Sequence, residues 1–175
     1  FEKDYYHEKW NWEVDYVGHP LIEAIEEQKI ALGYHDEDIH PTHSSNKIAL
    51  LPGSRKQEIS KKLPIMLDVA KWFPEYEFVV AEAPGQDSEF YASFLQAYKN
   101  VSSVKNATYQ LLLESKAALV TSGTATLEAA LLGVPEIVCY KGSSISYQIA
   151  KRLIKIKYIC LVNLIMDKLV VTELI

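Results

Sequence analysis

The stretch "KIALLPGSRKQEISKKLP", residues 47–64, decides the fold. Its first five residues are an apolar run, as expected of a strand covered on both faces. Pro52-Gly53 stops that run, and a helical pattern follows from about Ser54 to Trp72. Gly53 lets backbone approach a ligand closely, and Ser54 has capping-box spacing to Gln57. Arg55 adds a planar, permanently charged fork at the turn. The same pattern also suits an ordinary helix start with a solvated arginine.

Outward from this stretch, strands alternate with helices. "EVDYVG" (13–18) reads as a short strand, "PLIEAIEEQKIALG" (20–33) as a helix with Pro20 in its first turn and Gly33 as its stop. Leu21, Ile25, Gln28 and Leu32 share one face of that helix. "EYEFVVAE" (75–82), "AALVTS" (117–122), "PEIVCYK" (135–141) and "YICLVN" (158–163) read as strands, and "VSSVKN" (101–106) is a short segment between two helices. "QDSEFYASFLQAY" (86–98), "ATYQLLLES" (107–115), "TATLEAALLG" (124–133) and "SSISYQIAKRLIKI" (143–156) read as helices, and "VTELI" (171–175) as a helix start. Strands separated by crossover helices predict an α/β fold, a Rossmann-like, doubly wound parallel sheet in one domain over residues 1–175.

In such sheets ligands bind beyond the carboxyl ends of the strands, where helix N-termini offer free N–H groups. A second turn has the same character. Ser122, Gly123, Thr124, Ala125 and Thr126 lie between a buried strand and a helix, with hydroxyls and unhindered N–H groups suited to phosphate. Glu128, about one turn into that helix, suits the paired hydroxyls of a ribose; a first-turn carboxylate complementing the helix dipole is the plainer reading. Two such turns in one sheet point to a nucleoside diphosphate. No GxxxxGK[ST], GxGxxG or GxSxG is present, which argues against P-loop, NAD-type and hydrolase-elbow chemistry.

Composition narrows the class. The 175 residues are 49% hydrophobic and 23% charged, the balance of a globular protein, and the net charge of −5 argues against a general nucleic-acid binder. No run reaches membrane-spanning length. Cys139 and Cys160 sit in apolar surroundings outside any metal spacing, the pattern of free thiols in a reducing compartment. "HDEDIHPTH" (35–43) gathers three histidines, but its spacing fits no standard ligand set and a solvated loop is expected. Lys151, Arg152, Lys155 and Lys157 form a basic cluster interleaved with apolar residues, either a solvated helix face or a surface for anionic lipid. The start lacks Met and any signal-peptide pattern, so a longer protein is expected upstream of Phe1.

"YVGHPL" (16–21), "LLPGSRKQEISKKLP" (50–64), "SGTATLEAALLGVP" (122–135), "YQIAKRLIK" (147–155) and "NLI" (163–165) with "ELI" (173–175) occur in the order and spacing of lipid-A-disaccharide synthases. The chain resembles the C-terminal half of that family over its whole length. The resemblance implies the donor-binding domain of a GT-B glycosyltransferase, with residues 1–33 containing the crossover from a missing acceptor domain. It implies transfer of 2,3-diacylglucosamine from UDP to 2,3-diacylglucosamine 1-phosphate, with inversion, without metal or cofactor, at the cytoplasmic face of the bacterial inner membrane. By position, Gly53, Ser54 and Arg55 would hold the diphosphate and Glu58 would order their loop. Ser122, Gly123, Thr124 and Thr126 would line the phosphate and ribose region, with Glu128 on the ribose, Tyr140 near the nucleotide and Asn163 at the cleft edge. Two departures stand out. Glu136 replaces an apolar residue, which suggests an edge or surface position, and Val162 stands before Asn163 where Pro is common. The acidic general base of the reaction is expected upstream. Another GT-B UDP-sugar enzyme, an epimerase or a transferase, and a non-catalytic nucleotide-binding module are the alternatives.

Overall fold

The computed structural model describes residues 2–34, 45–141 and 157–174. Six parallel strands form one sheet: β1 (Lys47–Leu51), β2 (Glu77–Glu82), β3 (Val101–Lys105), β4 (Ala117–Thr121), β5 (Glu136–Cys139) and β6 (Thr172–Leu174). Their spatial order is β3-β2-β1-β4-β5-β6. The strand order therefore reverses between β1 and β4, and that switch point opens a crevice at the carboxyl edge of the sheet. The pairing Leu51↔Val120 sets the ends of those two strands side by side.

Around the sheet lie α1 (Glu2–Trp10), α2 (Pro20–Leu32), α3 (Lys56–Ala70), α4 (Ser88–Leu95), α5 (Thr108–Glu114), α6 (Thr124–Leu131) and α7 (Leu161–Met166). Alternation along β1 sends Ala49 and Leu51 into one core and Leu50 into the other. The first core joins α2, α5 and α6 to the sheet through Ile25, Leu111, Leu112 and Ala129. The second packs α3 and α4 through Ile59, Leu63, Met66, Leu67 and Tyr91. Ile59, Leu63, Met66, Leu67 and Ala70 recur at helical spacing, so one face of α3 is buried. Each such large side chain contributes roughly 1.5–3 kcal/mol, which anchors the α3 start beside the crevice. α2 behaves as its sequence predicts at both ends, with Pro20 in its first turn and Gly33 left-handed at φ 76°.

Four expectations fail locally. Residues 13–18 form no strand: Tyr16 and Val17 are exposed and the segment pairs with none of the six strands, so β-propensity alone does not create a strand. "YICLVN" is not the last strand either, because Cys160 caps α7, its sulfur accepting from the Asn163 N–H at 3.4 Å. "VTELI" instead supplies β6, which the open edge of β5 recruits through Ile137↔Thr172 and Cys139↔Leu174. Glu136 lies neither at an edge nor on the surface. β5 runs between β4 and β6, and the side chain is 8% exposed with both carboxylate oxygens unpaired. The helix read over 143–156 falls outside the described residues, and α1 has no counterpart in the sequence reading.

Candidate functional site

A cavity of about 600 Å³ opens at the switch point. Its walls come from four consecutive strand-to-helix turns: Gly53 and Ser54 after β1, Ala83 and Pro84 after β2, Asn106 to Thr108 after β3, and Ser122 to Thr124 after β4. Gln28 and Leu32 of α2 complete it.

Two glycines shape the inner turns. Gly53 has φ 110°, and a Cβ there would stand 2.9 Å from Glu58 Oε2. Glu58 therefore folds over the glycine, and its Oε1 lies 3.6 Å from Arg55 Nη1. Gly123 has φ 154° and ψ −164°, a conformation that is essentially glycine's alone. The Ser54 carbonyl is tied to the neighbouring turn by the Gln86 side-chain amide at 3.3 Å.

The expected Ser54 cap does not form. Gly53 delays the helix by one residue, so the N-cap of α3 is Arg55, and its side chain makes no capping bond. The Gly123 N-cap of α6 has no side chain to offer. By contrast, α2 and α7, which do not directly follow a crevice strand, are capped by His19 Nδ1 and Cys160 Sγ. The first N–H groups of a helix have no intrahelical partner, so an uncapped start leaves them for an anion. All four helices that follow the crevice strands, α3, α4, α5 and α6, lack a side-chain cap; of these, α3 and α6 follow the adjacent strands β1 and β4 at the switch point.

Carboxylates dominate the cavity wall. Glu58, Glu82 and Glu128 line it, whereas no lysine or arginine among the described residues does. Glu82 is buried and satisfied by Ser88 Oγ at 2.6 Å and Ser103 Oγ at 2.7 Å. Glu128 accepts from Tyr109 Oη at 3.2 Å. Arg55 stands beside the cavity rather than in its wall, with 82% of its side chain exposed. At the floor, Thr121 is buried and its hydroxyl has no partner.

Of the residues singled out from sequence, Gly53, Ser54, Glu58, Ser122, Gly123, Thr124 and Glu128 line this one cavity, and Arg55 joins it through Glu58. Three do not. Thr126 is fully buried, its hydroxyl donating to the Gly123 carbonyl at 2.8 Å, so it holds the turn instead of facing the cavity. Tyr140 continues β5 by donating its N–H to the Leu174 carbonyl at 2.8 Å and is not in the cavity wall. Asn163 is fully buried rather than at a cleft edge. Its amide donates to Val171 O and Glu173 Oε1, and its oxygen accepts from Val170 and Val171 N–H. It is a brace for β6. Glu173 completes that brace: burial pushes its carboxyl up, but the Cys160 and Ile159 N–H groups and the Asn163 amide outweigh it and hold the carboxyl below its usual range.

Of the basic cluster, Lys151, Arg152 and Lys155 fall outside the described residues; Lys157 lies 3.4 Å from Asp167 Oδ1. The "HDEDIHPTH" histidines also fall outside them. Among the described residues no group of three or more His, Cys, Asp or Glu is placed to hold a metal, and no helix is long and apolar enough to cross a membrane. Both thiols are free, Cys160 buried and Cys139 partly so, and burial pushes each of them up. Tyr109 and the Asn106–Thr108 turn were missed from sequence, though "KNATY" is a third strand-to-helix turn at the same sheet edge.

Comparison with known proteins identifies the family. The lipid-A-disaccharide synthetase family matches residues 1–175. A lipid-A-disaccharide synthase of Syntrophus aciditrophicus is 38% identical over 172 residues, covering 93% of this chain and 44% of that protein. One of Aquifex aeolicus is 34% identical over 175 residues, covering 100% and 47%. The chain therefore spans about half the length of the curated relatives it matches. Among solved structures, TarM superposes with a TM-score of 0.50 at 15% identity, over 78% of this chain and 27% of TarM, a likeness of fold alone.

Proposed function

The chain belongs to the lipid-A-disaccharide synthetase family, and from that premise we propose that it is the donor-binding half of an inverting GT-B glycosyltransferase of lipid A biosynthesis. The complete protein transfers 2,3-diacylglucosamine from UDP to 2,3-diacylglucosamine 1-phosphate and gives the β-1,6-linked disaccharide and UDP. The observation that carries this reading is the pair of uncapped helix starts, α3 and α6, set beside Arg55 across the β1–β4 switch point.

The charges assign the parts of the donor. A cavity walled by Glu58, Glu82 and Glu128 repels phosphate but accepts hydroxyl donors, so the nucleoside lies inside with its ribose against Glu128. The diphosphate lies at the rim, on the N–H groups of α3 and α6 and the Arg55 guanidinium. During transfer the acceptor 6-oxygen bonds to the anomeric carbon as the bond to UDP breaks, and that electron pair moves onto the β-phosphate. Arg55 and the two helix starts stabilise this developing charge without a metal. The acceptor proton leaves to a base on the half of the protein outside this chain. Nucleotide from the cytosol and acyl chains in a bilayer place the enzyme at the cytoplasmic face of the inner membrane. The basic cluster at residues 151–157 is its contact with anionic lipid.

The test is a UDP-diacylglucosamine transfer assay on the full-length protein. Arg55→Ala lowers kcat by about 10²–10³, the cost of removing one preorganised charge donor, with a smaller change in donor KM. Unchanged turnover in that variant would refute the leaving-group role and favour a module that binds nucleotide without catalysis.

A further inference from the structure

We propose that Tyr109 is a positioning residue that holds the Glu128 carboxylate toward the sugar of the nucleotide, so that the site selects a ribonucleotide over its 2′-deoxy counterpart. This rests on the nucleotide reading given above and deepens it. The two side chains come from different strand–helix units, Tyr109 from α5 after β3 and Glu128 from α6 after β4. Both face the cavity, and Tyr109 Oη meets Glu128 Oε1 at 3.2 Å. The Tyr109 ring packs against the core shared by α2, α5 and α6, which limits its rotamers and fixes where its hydroxyl points.

The direction of the bond is settled by chemistry. Burial first, and the adjacent Glu128 charge second, push the Tyr109 hydroxyl up to about 12, so it keeps its proton and donates to the carboxylate at neutral pH. Glu128 Oε1 retains a second lone pair, and Oε2 has no hydrogen-bond partner among the described residues. Two acceptor sites therefore remain for a vicinal diol. The other two carboxylates of the wall have partners, Glu82 two serine hydroxyls and Glu58 the Arg55 guanidinium at 3.6 Å.

Glu128 is the fifth residue of α6, beyond its first turn, which holds no acidic residue, so the helix start carries no carboxylate of its own.

The experiment is calorimetric titration of the full-length protein with UDP and with 2′-deoxy-UDP, comparing wild type with Tyr109→Phe. Wild type binds UDP about tenfold more tightly than the deoxy compound, the size of one hydrogen bond to a charged group. Tyr109→Phe keeps the packed ring, weakens UDP by about five- to tenfold, and leaves 2′-deoxy-UDP within about twofold. The deoxy arm thereby separates loss of positioning from loss of folding. Equal weakening of both nucleotides, or unchanged discrimination in the variant, overturns the role of Tyr109 while the nucleotide site stands. A wild type that binds neither nucleotide overturns the nucleotide reading and this inference with it.

Discussion

Replacing Glu136 with glutamine isolates one buried charge. Glu136 lies in β5 with both oxygens unpaired, and desolvation alone pushes its carboxyl from 4.5 to about 8. The folded chain therefore keeps this proton after the unfolded chain has released it. Stability is undiminished below the unfolded value and falls as pH rises above it, by about 1.4 kcal/mol per pH unit, until the slope vanishes above the folded value. Between about pH 5 and pH 8 the loss amounts to roughly 3–4 kcal/mol. Glutamine keeps the shape and cannot ionise, so the variant lacks this slope. Near pH 5 wild type and variant melt alike. By pH 8 the variant melts higher by roughly 6–15 °C, at about 2–4 °C per kcal/mol for a domain of this size. Thermal melts of both proteins at four pH values between these limits give the difference curve. Parallel curves would refute the reasoning, because they would mean that Glu136 finds water or a cation in solution.

Two further substitutions probe the site and its support. Gly53→Ala places a Cβ 2.9 Å from Glu58 Oε2 at a left-handed backbone angle, so it costs about 1–3 kcal/mol and weakens UDP binding more than tenfold; the added change Glu58→Ala recovers only the steric part, which a double-mutant cycle in melts and titrations measures. Asn163→Ala strips the partners from the Val170 and Val171 N–H groups and costs about 3 kcal/mol, with UDP affinity of the folded protein unchanged; a selective loss of affinity would return Asn163 to the site.

The sequence was most legible where periodicity and turn chemistry agreed. β1, α3, β4 and α6 stand where the apolar runs and the Gly-Ser-Arg and Ser-Gly-Thr turns put them, and topology then carried those turns into one cavity. Failures came where tertiary context overrides local preference. "YICLVN" is rich in β-formers, yet a cysteine cap and the Asn163 brace make it helical. "VTELI" pairs only because β5 offers an edge, which no local pattern encodes. Residue type also could not tell Asn163 and Thr126, turned inward, from Ser122 and Thr124, turned toward the cavity. The Tyr109–Glu128 bond joins two helices whose spacing depends on β4 passing beyond β1 in the sheet, so it was invisible before the fold.

The β1–β4 pairing has a consequence for how the protein acquires its binding ability. β1, β2 and β3 form neighbouring pairs through single crossovers, so that half can assemble from comparatively local contacts. β4 must then return across the whole of it to lie against β1, a closure of high contact order and so a late, slow event. Until that closure the two open helix starts are separate, and the diphosphate site proposed above is incomplete. Nucleotide affinity should thus emerge in one late kinetic phase during refolding. Ligand present at that moment traps the closed sheet and stabilises it by mass action. On the proposed reading, the nucleotide is in that sense also a probe of whether the domain has finished folding.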